Sequence, residues 1–362
     1  MKKAIAAVFI GAGRPFEVRE FDVTEPPAGY GRSSLIASGI CGTDIHMTRG
    51  TLTVGAPSII GHEFIGRLEA CDEREAAAFG LRKGDAVVAD IAVPCGECLL
   101  CKTGDDANCV NMQVTNGGSI DEAPYLYGGY AQVNFTPLKN LIKVPEEVDP
   151  RAAAVFACPG PTVVHACRLA EQAGISFKGM ESAVVQGAGP VGMFAIMYLK
   201  ALGVKKVTAV LRSNKSFRAE AAKRAGADSV LFLSDGNVTE TLAAENGGLG
   251  ADLCFEASGA PEAVPVGIDV LRNRGVYLIP GQYSMSGGVE IQPQLITFKA
   301  LRIIGSSQYS VVDVKDYLEF LRRHSALEKV ILSMGSFYPV EDVNTAIEAA
   351  DRGENIKTLL VP

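Results

Sequence analysis

Short apolar runs separated by glycine and proline characterise roughly the first 155 residues. The runs 34–38 and 85–89 have the length and the β-branched content typical of β-strands. Another run, 4–10, follows Met1-Lys2-Lys3 and superficially resembles a signal peptide. It is at the lower size limit for such a segment and no convincing cleavage site closes it. We therefore interpret 4–10 as a strand and predict a β-rich first section.

The pattern changes between about 180 and 300, where strand-like and helix-like stretches alternate. Apolar strands are predicted at 183–186 and 206–210, followed by helical stretches at 191–202 and 217–225. Further strand-like runs occupy 251–256 and 275–281, and the last sixty residues include an amphipathic helix near 314–322. Strands alternating with helices indicate parallel βαβ units, so the predicted fold class is α/β.

Two domains are expected, because 362 residues exceed the size at which one core usually keeps growing. We place a dinucleotide-type domain at 159–305. The two flanking segments, 1–158 and 306–362, are expected to form the other domain.

Composition and charge exclude several classes of protein. Hydrophobic residues make up 48% and charged residues 21%, which argues against disordered or fibrous chains. The net charge is −7 and basic runs stop at two residues, so nucleic acid is not an expected partner. Apolar stretches stay shorter than the roughly 18 residues of a membrane span, so no membrane association is expected.

The segment 187–192 reads Gly-Ala-Gly-Pro-Val-Gly, a G-x-G-x-x-G motif that follows a predicted strand and opens a predicted helix. In that context Gly187 permits the tight turn, Gly189 lets backbone approach a pyrophosphate, and Gly192 lets helix and strand pack closely. Pro190 and Val191 begin the helix, whose N-terminus favours an anion. The motif predicts a dinucleotide site; the alternative is a glycine-rich turn that binds no ligand.

The residues after the second strand of this unit bear on the choice between NAD and NADP. An acidic residue that binds the ribose 2′-hydroxyl of NAD is expected near the strand's end, where this chain has Leu211. Cationic and polar residues come next: Arg212, Ser213, Asn214, Lys215 and Arg218. The pattern favours NADP, whose 2′-phosphate cations bind. Alternatively, these are solvated helix-cap residues and the cofactor is NAD.

Four of the nine cysteines lie within fifteen residues, at Cys95, Cys98, Cys101 and Cys109. In a chain of this size the spacing favours metal over disulfides and suits a closed, tetrahedral structural zinc in a lobe at about 92–112. An iron–sulfur cluster uses related spacing, but the flanking pattern of ferredoxins is missing. Because thiolates must stay reduced to bind zinc, this interpretation predicts a cytoplasmic location.

Further possible zinc ligands are dispersed, at Cys41, His62 and Cys158. Two cysteines, one histidine and a water make a catalytic zinc site. Spacing alone does not group these residues, and each taken singly is equally an ordinary core residue.

The motifs together resemble the zinc-containing medium-chain alcohol dehydrogenases over essentially the whole chain. The resemblance rests on Gly39-x-Cys41-Gly42-Thr43-Asp44-x-His46, Gly61-His62-Glu63, the four-cysteine segment and the 187–192 loop. It implies a GroES-like catalytic domain built from both ends of the chain, a Rossmann domain with a doubly wound parallel sheet in the middle, and an active site in the cleft between them.

The resemblance also implies roles for individual residues. It makes Cys41, His62 and Cys158 the ligands of the catalytic zinc, although polyol dehydrogenases place glutamate at the position of Cys158. Glu63 would be the carboxylate that adjoins the metal, and in some relatives it exchanges with water as a ligand. Asp44 would orient His62.

Thr43 and His46 would form the proton relay by the same resemblance. Gly42 departs from the family, because some relatives carry an arginine there that contacts the pyrophosphate. Segments 51–58 and 110–130 are expected to line or flank the substrate pocket. The remaining cysteines and histidines are interpreted as packing residues: Cys71, Cys167, Cys254, His165 and His324.

The implied reaction is hydride transfer between an alcohol or polyol and NAD(P), with NADP favoured, interconverting the alcohol with a ketone or aldehyde. Two zinc ions per chain, a small-molecule substrate and a homodimer or homotetramer complete the expectation. One alternative is a zinc-free quinone or enoyl reductase on the same scaffold. Another is a noncatalytic NADP-binding protein.

Overall fold

The chain folds into two compact units. The structure, a computed structural model, describes residues 2–212, 216–283 and 286–362. One unit comprises 1–161 and 308–362, and the other comprises 162–307. We refer to them as the first unit and the second unit.

Strands predominate before residue 145. The strands are β1 (Lys3–Val8), β2 (Glu17–Asp22), β3 (Tyr30–Gly39), β4 (Phe64–Ala70), β5 (Ala86–Ala89), β6 (Ala92–Val93), β7 (Gln113–Val114), β8 (Val133–Pro137) and β9 (Leu141–Lys143). The helices in and just after this section are α1 (Gly42–Arg49), α2 (Glu73–Ala78), α3 (Leu99–Lys102), α4 (Pro150–Val155) and α5 (Pro159–Gln172).

Strands and helices alternate in the middle of the chain. The elements are β10 (Ser182–Gln186), α6 (Pro190–Ala201), β11 (Lys206–Leu211), α7 (Ser216–Arg224), β12 (Ser229–Phe232), α8 (Val238–Glu245), β13 (Ala251–Glu256), α9 (Ala263–Val270), β14 (Leu271–Ile279), α10 (Pro293–Phe298) and β15 (Arg302–Gly305). The elements nearest the C-terminus are α11 (Val311–Arg323), α12 (Glu328–Leu332), β16 (Gly335–Pro339), α13 (Val343–Asp351) and β17 (Lys357–Val361).

The second unit is built on a six-stranded sheet in the order β12-β11-β10-β13-β14-β15. Every neighbouring pair in it is parallel. The order reverses at β10, and in doubly wound sheets ligands bind at such a switch point, outside the carboxyl ends of the strands. Strand β10 is buried along its whole length, as expected for a parallel strand covered on both faces. The predicted α/β class is confirmed.

The first unit contains a seven-stranded sheet in the order β16-β17-β3-β4-β5-β9, with β8 also paired to β3. Buried and half-buried positions alternate along most of β3, which is the pattern of a strand with one face on the core. Pairing between β17 and β3 is antiparallel, with Leu359 opposite Gly39. This pairing brings a strand from near residue 360 beside residues from near 40, where the candidate site lies.

Within residues 2–212, 216–283 and 286–362, every helix is too short or too polar to cross a membrane.

Candidate metal centres and dinucleotide loop

Four potential metal ligands converge in the first unit: Cys41, His62, Glu63 and Cys158. Their ligand atoms all lie within 4.8 Å of one another. The residues come from three separate segments, just before α1, just before β4 and just before α5. Two thiols, an imidazole and a carboxylate form a donor set that suits zinc.

Asp44 holds two of these residues in place. Asp44 is completely buried, and its Oδ2 accepts hydrogen bonds from the Cys41 backbone N–H and from the Tyr130 hydroxyl, each at 2.8 Å. Its Oδ1 lies 3.6 Å from His62 Nδ1. With Nδ1 facing a carboxylate, Nε2 is the ring nitrogen available to a metal.

The site is electrostatically suited to a cation. A hydrogen bond from Cys158 and the charge of His62 lower the pKa of Cys41 well below its usual value, despite burial, which raises it. Burial lowers the pKa of His62, but Asp44 and Cys41 together raise it well above its usual value. Both shifts favour a Cys41 thiolate beside a protonated His62, so the site stabilises a positive charge. A zinc ion bound there would displace the His62 proton and supply that charge instead.

Glu63 is 1% exposed, and its pKa is raised by burial to about 7 although the nearby Lys357 lowers it. Lys357 forms an ion pair with Glu63 Oε2. Glu63 Oε1 has no hydrogen-bond partner among the described residues. Oε2 of Glu63 therefore faces the Lys357 ammonium group, and Oε1 remains available to a metal ion held by the four donors.

Gly39 is required by this packing, because a Cβ there would collide with the Glu63 carboxylate. Sequence reasoning missed Lys357, and it placed Tyr130 only at the end of the 110–130 segment expected near the substrate pocket, without a role at the donors. Neither residue lies in a motif, and each reaches the site through strand pairing or a long-range fold contact.

Thr43 and His46, the two predicted relay residues, both lie on α1, and Thr43 contacts one of the donors. Thr43 Oγ1 is 3.5 Å from Cys41 Sγ. His46 Nδ1 is 3.0 Å from Thr51 Oγ1, and the Thr51 hydroxyl donates to the His46 carbonyl at 3.2 Å. With its proton engaged there, the Thr51 oxygen accepts from Nδ1–H, which leaves Nε2 of His46 as the basic nitrogen.

The second donor group consists of Cys95, Cys98, Cys101 and Cys109. Their Sγ atoms are 3.5 Å apart for Cys98 and Cys101, 4.0 Å for Cys95 and Cys101, and 4.0 Å for Cys98 and Cys109. Four sulfurs at about 2.3 Å from a tetrahedral zinc would be about 3.8 Å apart. The spacing thus fits a closed four-thiolate zinc site.

Backbone amides in this lobe point at the sulfurs. The N–H of Cys95 donates to Cys109 Sγ at 3.2 Å, and the N–H of Cys98 donates to Cys95 Sγ at 3.4 Å. Hydrogen bonds from the amides of Glu97 and Cys98 lower the pKa of Cys95 to about 6. These bonds favour the thiolate form that metal binding needs.

The loop 187–192 joins β10 to α6 in the second unit. Gly187 has φ +96°, and a Cβ there would lie 3.0 Å from the Ser258 Cα. A Cβ on Gly192 would collide with the Gly187 carbonyl, whereas a Cβ on Gly189 would meet nothing within 4 Å. Gly189 is the N-cap of α6, with Pro190 at the helix start. The open side of the loop is thus at the helix N-terminus, where a phosphate is favoured.

Leu211 ends β11 and is 4% exposed. Arg212 is the next residue and is exposed. Arg218, on α7, donates from Nη1 to the Ala188 carbonyl at 2.7 Å, which fixes a cation against the dinucleotide loop. The predicted cofactor residues Ser213 and Lys215 lie outside the described residues, as does Asn214.

The cysteines and histidines that the sequence assigned to packing lie outside both donor groups. Cys167, Cys254 and His165 are buried, and Cys71 is half-buried. His324 Nδ1 lies 2.9 Å from the Phe320 carbonyl, and its ring stacks on that of Phe320.

Two family models match parts of this chain. The family model described as "Alcohol dehydrogenase GroES-like domain" matches residues 34–146, and that described as "Zinc-binding dehydrogenase" matches 190–323. Sorbitol dehydrogenase of Halalkalibacterium halodurans is 29% identical over 361 residues, 99% of each chain. D-xylulose reductase A of Aspergillus niger is 30% identical over 331 residues, 89% of this chain and 87% of that one.

Among solved structures, an alcohol dehydrogenase from Thermotoga maritima matches with a TM-score of 0.89 and 28% identity, covering 100% of both chains. The family resemblance predicted from the motifs is thereby confirmed. The chain belongs to the zinc-dependent alcohol dehydrogenases of the medium-chain type, oxidoreductases that act on CH–OH groups.

Proposed function

We propose that this protein transfers a hydride between a small alcohol or polyol and NADP, interconverting the alcohol with its ketone or aldehyde. The observation that carries the proposal is the convergence of Cys41, His62, Glu63 and Cys158, whose ligand atoms lie within 4.8 Å of one another. A zinc-free quinone or enoyl reductase would need the dinucleotide loop but not these donors, and a noncatalytic NADP-binding protein would need neither them nor Thr43.

The proposal includes two zinc ions per chain. Cys41, His62 and Cys158 would hold one, with Glu63 beside it, and the four-cysteine group would hold the other. Zinc at the first site would supply Lewis-acid polarisation of the substrate C–O group. The second site offers no open position and would hold its lobe together.

Within the chain, Thr43 and His46 move the substrate proton in this proposal. The Thr43 hydroxyl, 3.5 Å from Cys41 Sγ, would accept the proton from the substrate hydroxyl as it gives up its own. His46 would take that proton at Nε2, because Thr51 occupies Nδ1. The half-buried His46 would then release the proton to solvent.

NADP preference is supported by the residues at the C-terminal end of β11. Leu211 is apolar and buried, so no carboxylate there repels a 2′-phosphate. The exposed Arg212 would supply charge-assisted hydrogen bonds, each worth roughly 1.5–3 kcal/mol. Because about 1.4 kcal/mol corresponds to tenfold, we expect kcat/KM to favour NADP over NAD by at least about tenfold.

The experiment is a panel of alcohols, polyols and ketones assayed with both cofactors, together with zinc analysis of the same preparation. Cys41→Ser should abolish turnover, since it removes a zinc ligand. Cys71→Ser is the matched control, because Cys71 lies outside both donor groups, and it should keep normal turnover. Turnover that survives Cys41→Ser, or a preparation active after complete zinc removal, would contradict the proposal.

A further inference from the structure

An arginine on α7 binds the backbone of the 187–192 loop. Arg218 is half-buried, and its Nη1 donates a hydrogen bond to the Ala188 carbonyl at 2.7 Å. Ala188 is itself buried, so the bond joins two groups that are largely shielded from water. Burial lowers the pKa of Arg218 from its ordinary value. The loop is thus held by a cation that lies outside its own glycine motif.

This bond fixes the orientation of one peptide unit. The Ala188 carbonyl and the Gly189 N–H belong to the same planar trans peptide, so the two groups point in opposite directions. Because the carbonyl points at Arg218, the Gly189 N–H points away from the guanidinium group. Gly189 is the N-cap of α6, and an N–H at that position has no carbonyl partner within its helix. It therefore needs a partner from outside the helix, and a phosphate is a favoured one.

The same bond opposes rotation of the 188–189 peptide. Glycine accepts many backbone conformations, and a Cβ on Gly189 would meet nothing within 4 Å, so contacts of the residue itself do not fix the peptide. The preceding peptide is held differently, because the Gly187 N–H donates to the Val210 carbonyl at 2.9 Å. A charged donor on the Ala188 carbonyl also polarises the amide, which makes the Gly189 N–H a stronger donor.

We propose that Arg218 is a positioning residue of the cofactor site, whose guanidinium group holds the 188–189 peptide so that the Gly189 N–H is directed at the pyrophosphate of the cofactor. The inference rests on the proposed function, because it requires that the loop bind a nicotinamide dinucleotide. It also separates Arg218 from Arg212. The 2′-phosphate that Arg212 would bind occurs in NADP alone, whereas the pyrophosphate occurs in both NAD and NADP.

Two other roles for Arg218 predict different behaviour. An arginine that binds the 2′-phosphate would discriminate NADP from NAD and would not affect ligands that lack this group. An arginine that only ties α7 to the loop would contribute to stability, and its loss would leave the ligand affinity of the folded protein unchanged. Fragments of the cofactor that carry only one of the two phosphate groups distinguish the three roles.

The test measures dissociation constants of the full-length protein by isothermal titration calorimetry. The ligands are NAD, NADP and two adenosine fragments: adenosine 5′-diphosphate carries the pyrophosphate, and adenosine 2′-monophosphate carries only the 2′-phosphate. Arg218→Met should weaken binding of NAD, NADP and adenosine 5′-diphosphate by a similar factor of about 10–100, as expected for one charge-assisted hydrogen bond, and should leave adenosine 2′-monophosphate within about twofold of wild type.

Arg272→Met is the matched control in the same unit. Arg272 Nε lies 2.6 Å from Asp252 Oδ1, and Arg272 is the second residue of β14. The amino ends of parallel strands lie at the sheet edge opposite their carboxyl ends, where the 187–192 loop begins. Arg272→Met should therefore keep wild-type affinity for all four ligands, and thermal unfolding of both variants shows the stability cost of losing an arginine. Arg218→Lys keeps a cationic donor and should recover most of the affinity for adenosine 5′-diphosphate.

Loss of affinity for NADP and adenosine 2′-monophosphate alone would overturn the proposal, and so would unchanged affinity for adenosine 5′-diphosphate in folded Arg218→Met. If Arg218→Met does not fold, Arg218→Gln removes the charge but keeps a polar side chain, and the same comparison of the two fragments decides. Failure of the proposed function looks different. In that case wild type itself would bind neither dinucleotide, and this inference would fall with it.

Discussion

Replacing Lys357 with methionine measures what the buried ion pair with Glu63 contributes to stability. The two side chains are 1% and 0% exposed, and Lys357 Nζ also donates to the Ile40 carbonyl at 3.1 Å. Methionine has a similar length but no charge, so the Glu63 carboxylate and the carbonyl both lose their partner. Removing one member of a buried pair lowers the free energy of unfolding by about 3–5 kcal/mol.

The assay is urea unfolding, with the free energy of unfolding taken from the midpoint and the m-value. Lys143→Met is the matched control. Lys143 Nζ lies 2.8 Å from Asp85 Oδ1, but its side chain is 27% exposed, and solvent-accessible pairs contribute only about 0–1 kcal/mol. The double variant Glu63→Gln with Lys357→Met should be more stable than Lys357→Met alone, because it no longer buries an unpaired carboxylate.

The effect should also depend on pH. Burial already raises the pKa of Glu63 to about 7 from its ordinary 4.5, and Lys357 lowers it, so the lysine's loss raises it further. A carboxyl group with a raised pKa in the folded state favours folding at low pH, and this advantage is lost as the pH rises through that value. Lys357→Met should therefore lose more stability at about pH 8 than at about pH 6.

Measurements with excess zinc and with a chelator separate charge burial from metal affinity. The reasoning is wrong if Lys357→Met costs no more than Lys143→Met under both conditions. A loss confined to the zinc-loaded protein would mean that Lys357 acts through metal affinity alone.

Three further predictions concern the metal sites, the relay and the cofactor. Cys98→Ser should reduce the zinc content from two per chain to one and destabilise the fold, whereas Cys71→Ser should keep both ions; metal analysis and thermal unfolding check this, and an unchanged zinc content would refute it. Thr43→Val should lower kcat by roughly two to four orders of magnitude, since positioned acid–base groups contribute about that much; near-normal single-turnover rates would remove Thr43 from the relay. The double variant Leu211→Asp with Arg212→Ile should move the cofactor preference toward NAD, measured as kcat/KM for both cofactors with one alcohol. Equal or better use of NAD by the natural sequence would show that the basic residues after β11 do not bind the cofactor.

Where the relevant interactions are local, the structure places together the residues that the sequence groups. The four thiols of the cysteine lobe lie within fifteen residues, and the 187–192 loop is a single turn between a strand and a helix. In both cases the spacing itself constrains the geometry. The spacing of apolar residues likewise predicted that one unit is rich in strands and that the other alternates strands with helices.

The dispersed metal centre could not be predicted from spacing. Cys41, His62 and Cys158 were grouped only through the family resemblance, since their convergence depends on how β3, β4 and α5 begin and end. Lys357 was missed altogether. A lysine in a short apolar strand looks ordinary in sequence, and only the complete fold shows that it is buried beside Glu63.

The pairing of β17 with β3 has a consequence for how the protein matures on the ribosome. Glu63 is made about 300 residues before Lys357, an interval of about 15–60 s at typical elongation rates of about 5–20 residues per second. Throughout that time β3 lacks one of its neighbours, and an unpaired strand edge is prone to pairing with other chains. Until Lys357 is made, Glu63 therefore has no counter-charge, and the part of the β3 edge that β17 covers stays open to other chains.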